Sequence, residues 1–170
     1  GDPDQSIYAW RGADMGKFDV PWGITTDQEG NVYVSDTSNA RIQKFQSDGQ
    51  PLLKWGRDGS FDGAFFFPRG VAVDFVGNIF VADESNNRIQ KFTADGEPIL
   101  MWGKEGAFEG AFFYCRGVAV DFVGNVYVTD EINNRVQKFD SRGNFLSKWG
   151  KEGNGPGQFV QPHALAFDSK

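Results

Sequence analysis

Apolar and polar residues alternate along this chain in short runs, each closed by glycine, aspartate or asparagine, and the same order of runs returns again and again. Val71-Ala72-Val73 is a brief apolar run, Asp74-Phe75-Val76-Gly77-Asn78 supplies turn residues, and Ile79-Phe80-Val81-Ala82 is apolar again, which predicts a β-hairpin. After a polar turn over 83–87, Arg88-Ile89-Gln90-Lys91-Phe92 alternates as a half-buried strand does. Ala94-Asp95-Gly96 then turns the chain into a fourth strand, Ile99-Leu100-Met101-Trp102. Gly23-Ile24-Thr25-Thr26-Asp27, Gly70-Val71-Ala72-Val73-Asp74, Gly117-Val118-Ala119-Val120-Asp121 and Ala164-Leu165-Ala166-Phe167-Asp168 mark the same point of the unit at a period of 47 residues. Four antiparallel strands per unit predict an all-β fold, a β-propeller of four-stranded blades in which neighbouring sheets cover each other's apolar faces. With the strands of a blade labelled A to D from axis to rim, Trp55, Trp102 and Trp149 close the D strands, where large rings pack between blades.

The unit from Gly70-Val71-Ala72-Val73-Asp74 through Gly77-Asn78, Asp83 and Asn86-Asn87-Arg88-Ile89-Gln90-Lys91-Phe92 resembles the NHL repeat, and the resemblance runs from residue 16 to residue 168. It implies a propeller, commonly six-bladed, in a family whose members range from RNA- and protein-binding modules to a zinc-dependent amidating lyase. It does not imply one function.

The two ends of the chain are incomplete blades. Ser6-Ile7-Tyr8-Ala9-Trp10 stands where a D strand belongs, and Ala164–Phe167 where an A strand belongs, so the expectation is three complete blades plus an N-terminal outer strand and a C-terminal inner strand. Six blades at this period would take about 282 residues, so a closed ring calls for association. Two copies arranged head to tail as a homodimer would supply six blades and hide the exposed edges; a thin four-bladed monomer is the competing closure.

Gly1-Asp2-Pro3-Asp4-Gln5-Ser6-Ile7-Tyr8-Ala9-Trp10-Arg11-Gly12-Ala13-Asp14 also resembles a segment of superfamily 1 DNA helicases, in which a glutamine senses a nucleotide phosphate and aromatics lie near single-stranded DNA. That would map to Gln5, Tyr8 and Trp10. The phosphate-cradling loop such an enzyme needs has no counterpart in the chain, so the reading is an outer edge strand over residues 1–14, of spliced or engineered origin, ahead of propeller blades over 15–170.

Composition narrows the functions. Seventeen basic against twenty-three acidic residues give a net charge of −6, which opposes adhesion to nucleic acid or anionic lipid. No apolar run is long enough for a spanning helix, no signal-peptide pattern is present, and the compartment stays open. The lone Cys115 excludes an internal disulfide framework and thiolate-rich zinc sites; beside Arg116 its thiol pKa could be lowered, but a small apolar filler is the commoner role. His163 is the single histidine, too few donors for a catalytic zinc, and no serine sits in a nucleophile elbow.

Among recurring polar residues, Asp36 and Arg41, Asp83 and Arg88, and Asp130 and Arg135 flank each B–C turn, and their recurrence argues for a structural pair rather than a catalytic one. The informative positions are those where the units differ. Trp22, Arg69, Arg116 and His163 precede the four A strands, and Thr37, Glu84 and Glu131 follow the repeated aspartates, so these side chains should meet at one channel mouth. On the opposite face, Phe75-Val76 and Phe122-Val123 occupy hairpin tips where the first unit has Gln28-Glu29, which suggests partner contact. The extra rings of Phe65-Phe66-Phe67 and Phe112-Phe113-Tyr114 are expected to pack between blades.

The sequence therefore predicts a non-catalytic binding scaffold that presents loops around a mouth formed by Trp22, Arg69, Arg116, His163, Glu84 and Glu131. It is expected to work without metal or cofactor, with a second copy of itself and a protein or peptide as partners, and with neither nucleic acid nor membrane. A propeller hydrolase or lyase and an RNA-binding NHL domain are the alternatives.

Overall fold

The computed structural model describes residues 12–168, and its regular secondary structure is almost wholly β-strand. Blade 1 comprises β1 (Pro21–Thr26), β2 (Val32–Asp36), β3 (Arg41–Phe45) and β4 (Pro51–Trp55). Blade 2 comprises β5 (Pro68–Val73), β6 (Ile79–Asp83), β7 (Arg88–Phe92) and β8 (Pro98–Trp102). Blade 3 comprises β9 (Cys115–Val120), β10 (Val126–Asp130), β11 (Arg135–Phe139) and β12 (Phe145–Trp149). Each blade is an antiparallel meander in chain order, and the inner strands β1, β5 and β9 lie side by side. The expected all-β propeller architecture is what the chain adopts. The outer strand expected over 6–10 lies outside the described residues, as do Gln5, Tyr8 and Trp10.

Residues 164–167, expected as a fourth inner strand, run beside β9 without forming a ladder. The carbonyl of His163 accepts a hydrogen bond from Thr129 Oγ1 at 3.3 Å and Phe167 meets Tyr127 edge-on at 4.8 Å. A strand is defined by its hydrogen-bonded neighbour, and here the contacts described are with the flank of blade 3, which precedes the segment.

The core is two slabs, one between each pair of blades. Tyr33 and Ile42 of blade 1 pack against Phe65, Val71, Ile79 and Phe92 of blade 2; Phe80 and Ile89 of blade 2 pack against Phe112, Val118, Val126 and Phe139 of blade 3. The D-strand tryptophans close these slabs at the rim. Trp55 meets Tyr33 at 6.4 Å and the next blade's Phe92 at 6.0 Å, and Trp102 meets Phe80 at 6.3 Å and Phe139 at 5.7 Å. Trp149 keeps its partner within the blade, Tyr127 at 6.0 Å, and is 43% exposed on the side where another blade would stand.

Close approach at the axis depends on Gly70 and its equivalents. A Cβ on Gly70 would lie 2.6 Å from the carbonyl oxygen of Arg116, so only glycine lets β5 and β9 come this near. The register slips between Pro68 and Val71 at the same place.

Each blade is tied to the connection that precedes it by a buried polar lock. In blade 2, Asp83 Oδ2 accepts from Arg88 Nε at 2.8 Å, Asn86 Nδ2 at 2.9 Å and Gln90 Nε2 at 3.1 Å, while Oδ1 accepts the Phe66 amide at 2.7 Å. Arg88 then donates to the carbonyls of Ser60, Phe61 and Ala64. The same arrangement holds Asp36 with Arg41 at 2.7 Å and Asp130 with Arg135 at 2.6 Å. The aspartates are fully buried.

Arg88→Ala should lower stability by about 3–5 kcal/mol, the usual cost of leaving one partner of a buried pair behind, measured as a fall in the urea midpoint. A loss below about 1 kcal/mol would mean that the lock is solvated and marginal.

Candidate functional site

The mouth on the B–C-turn side is shaped by a kink repeated before every inner strand. Val20, Phe67, Tyr114 and Gln161 all have left-handed backbone, with φ of 53°, 58°, 60° and 51°, although none is glycine. Two kinds of bond hold the kinks. The carbonyls of Val20, Phe67 and Tyr114 accept the amides of Thr37, Glu84 and Glu131 at 3.3, 3.3 and 3.1 Å. The Tyr114 and Gln161 amides donate to Asn87 Oδ1 and Asn134 Oδ1, both at 2.8 Å. Two residues beyond each kink stands Trp22, Arg69, Arg116 or His163, aimed toward the axis by a backbone conformation that its surroundings enforce.

These four side chains and the two glutamates form one continuous ladder. Arg69 Nε donates to Glu84 Oε2 at 2.5 Å, and Arg116 Nε lies 3.4 Å from the same oxygen. Arg116 also makes an ion pair with Glu131 Oε2, and His163 Nε2 sits 3.2 Å from Arg116 Nη1 and 3.5 Å from Glu131 Oε1. At the other end the Arg69 guanidinium stacks on Trp22 with Cζ 4.3 Å from the ring centroid, and Arg116 Cζ is 5.8 Å from the same ring. Every pair crosses between or along blades in register: Trp22 and Thr37 in the first, Arg69 and Glu84 in the second, Arg116 and Glu131 in the third. Thr37 stands in the glutamate position and donates to the Pro68 carbonyl at 2.7 Å.

The structure thus brings together all six residues that the sequence assigns to the mouth. The glutamates are buried beneath the arginines, whereas Trp22 and His163 remain about half exposed. Two arginines and two glutamates cancel, so the mouth offers aligned donors, acceptors and an indole face rather than a strong net field. His163 Nε2 lies between a guanidinium donor and a carboxylate acceptor.

The opposite end of the blades carries a second concave feature that the sequence reading did not gather into a site. A cavity of about 540 Å³ opens among the A–B hairpins, with Asp27, Asp74, Asp121 and Asp168 on its wall beside Phe75 and Phe122. The signal was present as the aspartate that ends every repeat marker, but its chemistry reads first as turn formation. Indeed Asp27 accepts from the Glu29 and Asn31 amides, Asn31 Nδ2 and the Tyr33 hydroxyl, and Asp121 is held in the same way by Val123, Asn125 and Tyr127. Burial pulls both carboxyls upward, but those hydrogen bonds outweigh it and hold them below the ordinary carboxylate value.

Cys115 is fully buried, and burial followed by the nearby Asp83, Asp130 and Glu84 charges pushes its thiol well above the usual value. It fills the site that proline takes in blade 2, and the lowered thiol pKa considered from its neighbour Arg116 does not arise. Phe65 and Phe112 pack between blades as expected. Phe66, Phe67 and Tyr114 instead stand exposed, because the left-handed kink turns them out of the slab. Among the described residues, no three histidine, cysteine, aspartate or glutamate side chains gather as a metal cage, and no helix is long and apolar enough to cross a membrane.

Comparison with known proteins places this geometry. Residues 18–45 and 65–92 match the NHL repeat, and residues 119–170 match a family described as a 6-bladed beta-propeller. The helicase resemblance of residues 1–14 finds no support among these matches. Protein lin-41 of Caenorhabditis elegans is 43% identical over 47 residues, 28% of this chain and 4% of lin-41. Among solved structures, the nidogen/laminin complex aligns with 88% of this chain and 53% of the matched chain at 25% identity and a TM-score of 0.66. Virginiamycin B lyase from Staphylococcus aureus aligns with 85% of this chain and 44% of the lyase at 19% identity and a TM-score of 0.62. The chain spans about half or less of these proteins. Its neighbours include an enzyme and a protein–protein complex, so their likeness carries the fold and not an activity. This chain is a β-propeller module containing NHL repeats.

Because the folded carboxyls of Asp27 and Asp121 titrate below their unfolded value of about 3.8, their contribution to stability is complete above that pH and disappears as pH falls through the folded values. The melting temperature should therefore decline on acidification below about pH 4, and the decline should be shallower in an Asp27→Asn, Asp121→Asn double variant. Parallel curves for the two proteins would assign acid sensitivity elsewhere.

Proposed function

We propose that this module is a non-catalytic binding scaffold whose B–C-turn mouth engages a polar peptide segment of a protein partner. The observation that carries this reading is the convergence of repeat-variable side chains. The lock of Asp83, Arg88 and Gln90 recurs in every blade, whereas the mouth positions hold Trp22 and Thr37 in blade 1, an arginine and a glutamate in blades 2 and 3 (Arg69 and Glu84, Arg116 and Glu131) and His163 beyond them, and the aromatic and charged members form one connected surface across the blades. An exposed indole stacked on a guanidinium, next to carboxylates held at fixed distances, suits backbone amides and mixed polar side chains better than it suits a bare anion, since the arginines are already paired.

We also propose that a second copy completes the ring. Trp149 presents toward an absent neighbour the same face that Trp55 and Trp102 bury against Phe92 and Phe139, and Ile24 of blade 1 is exposed on the opposite flank. Among the described residues the core lies between blades, so apolar side chains exposed on the outer flanks of blades 1 and 3 favour association.

A random peptide library displayed against the immobilised protein should enrich sequences whose binding weakens by about tenfold or more on Trp22→Ala or Arg69→Ala, the loss typical of a central contact residue. Enriched peptides indifferent to both substitutions would overturn the assignment of the mouth. Sedimentation equilibrium should give twice the 18.9 kDa chain mass; a single-chain mass at micromolar concentration would remove the second copy.

A further inference from the structure

The A–B hairpin face, at the far end of the strands from the proposed mouth, breaks the polarity rule for turns in two adjacent blades. Phe75 and Phe122 are 72% and 86% exposed at their tips, and Val76 and Val123 beside them are equally open, where blade 1 carries Gln28 and Glu29. Large apolar residues at exposed tips lose nothing by becoming polar, so a pair in register calls for a contact. The two tips do not simply stick out. They wall a cavity of about 290 Å³, floored by Asn78, Gly124 and Ser141, that is the right size for an aliphatic or aromatic side chain.

Carboxylates gather on one side of this groove. The adjoining 540 Å³ cavity has Asp27, Asp74 and Asp121 in its wall and no lysine or arginine among the described residues lining it, although Lys44 and Lys91 line the smaller cavities on either side. The cation in the wall of the smaller cavity, Lys91, is engaged: its Nζ lies 4.0 Å from Asp74 and donates to the Ser141 carbonyl at 3.3 Å. The hydrogen bonds that hold Asp27 and Asp121 use their oxygens but do not neutralise them. A ligand therefore meets an apolar notch beside a negative field.

We propose that the A–B hairpin face docks a basic peptide segment, seating one apolar side chain between Phe75-Val76 and Phe122-Val123 and placing flanking lysine or arginine over the aspartate-lined cavity. An extended segment suits the spacing, because alternate side chains of a strand point the same way and successive ones can divide between notch and field. A lipid surface fits less well: the notch is concave, and the carboxylates beside it would repel anionic headgroups.

The test uses a fluorescein-labelled peptide of alternating lysine and leucine, with glutamate–leucine and lysine–serine peptides as controls, read by fluorescence anisotropy. Wild-type protein should bind the lysine–leucine peptide, more weakly as salt is raised, and bind both controls at least tenfold less well. Phe75→Ser with Phe122→Ser should weaken binding about tenfold or more, whereas Trp22→Ala, on the other face, should leave it unchanged. Both phenylalanines are exposed, so the double variant should keep the wild-type melting temperature, which separates loss of docking from loss of fold. Equal binding of the acidic peptide, or binding untouched by the double variant, overturns the proposal. So does co-sedimentation with phosphatidylcholine vesicles that depends on the two phenylalanines without peptide binding, which would assign the tips to a lipid surface. Loss of binding on Trp22→Ala as well would mean that the two faces are not independent, and would overturn the proposal while leaving the mouth reading standing.

Discussion

The buried carboxylate that ends every B strand organises this protein. Asp36, Asp83 and Asp130 each gather an arginine, a glutamine, an asparagine and one backbone amide around two oxygens, and the arginine reaches on to three carbonyls of the connection before the inner strand, or four in the case of Arg41. Taking such charges out of water is expensive, and an apolar replacement could be as stable. What an apolar group could not do is specify where a long irregular connection lies. The connection between β4 and β5 has a few backbone bonds of its own, around the isolated parallel bridge of Asp58 with Phe65, and is fastened to the blade by the donors that Asn86, Arg88 and Gln90 send into it. With the connection fixed, the left-handed kink and the residue that it aims at the mouth are fixed too.

Much of this was legible in the chain. The period of 47 residues, the four strands of each blade and the structural role of the Asp–Arg pairs follow from alternation and spacing, because a fixed repeat of half-buried strands has few ways to bury its faces. The six mouth residues could be named because they occupy the two repeat positions at which blade 1, with Trp22 and Thr37, and the segment after blade 3, with His163, depart from the Arg–Glu pair of blades 2 and 3. The ladder of contacts among them could not, since it joins residues 15, 32 and 47 positions apart whose distances depend on how far one blade is rotated from the next. The kinks were invisible for a different reason. Left-handed backbone is normally announced by glycine, and here it is carried by Val20, Phe67, Tyr114 and Gln161, held by partners in the B–C turn. That is also why Phe66 and Phe67 are exposed when their apolar character suggested packing.

The two faces show different uses of one scaffold. At the B–C-turn end, variation among blades is confined to side chains on a backbone that the lock holds rigid, and the charges largely cancel one another. At the A–B end the backbone turn is just as regular, since Asp27, Asp74 and Asp121 each cap the same hairpin through an asparagine four residues on. There Asp27 and Asp121 are held by neutral amides and hydroxyls, while Asp74 also has Lys91 Nζ at 4.0 Å. A structural carboxylate of that kind stabilises its turn and still projects a negative potential into the channel, so the acidic wall is a by-product of how the hairpins are made. The apolar tips are not: no hairpin needs Phe75 or Phe122, as Gln28 shows in the equivalent place.

Repetition sharpens the distinction between residues that hold the fold and residues available for something else. A side chain that fold stability requires must recur wherever its blade-to-blade surroundings recur, as Arg41, Arg88 and Arg135 do. A departure from the repeat is tolerated only where the surroundings also change or where solvent is the neighbour. Cys115 for Pro68 is the first kind, since its site is buried and the thiol meets the carbonyls of Asp83 and Arg88 at 3.7 and 3.3 Å. Trp22, His163, Phe75 and Phe122 are the second kind, exposed and without a packing role that their equivalents share. Exposure alone would make them neutral. Their gathering at the two ends of the same strands is what sets them apart from exposed residues scattered singly.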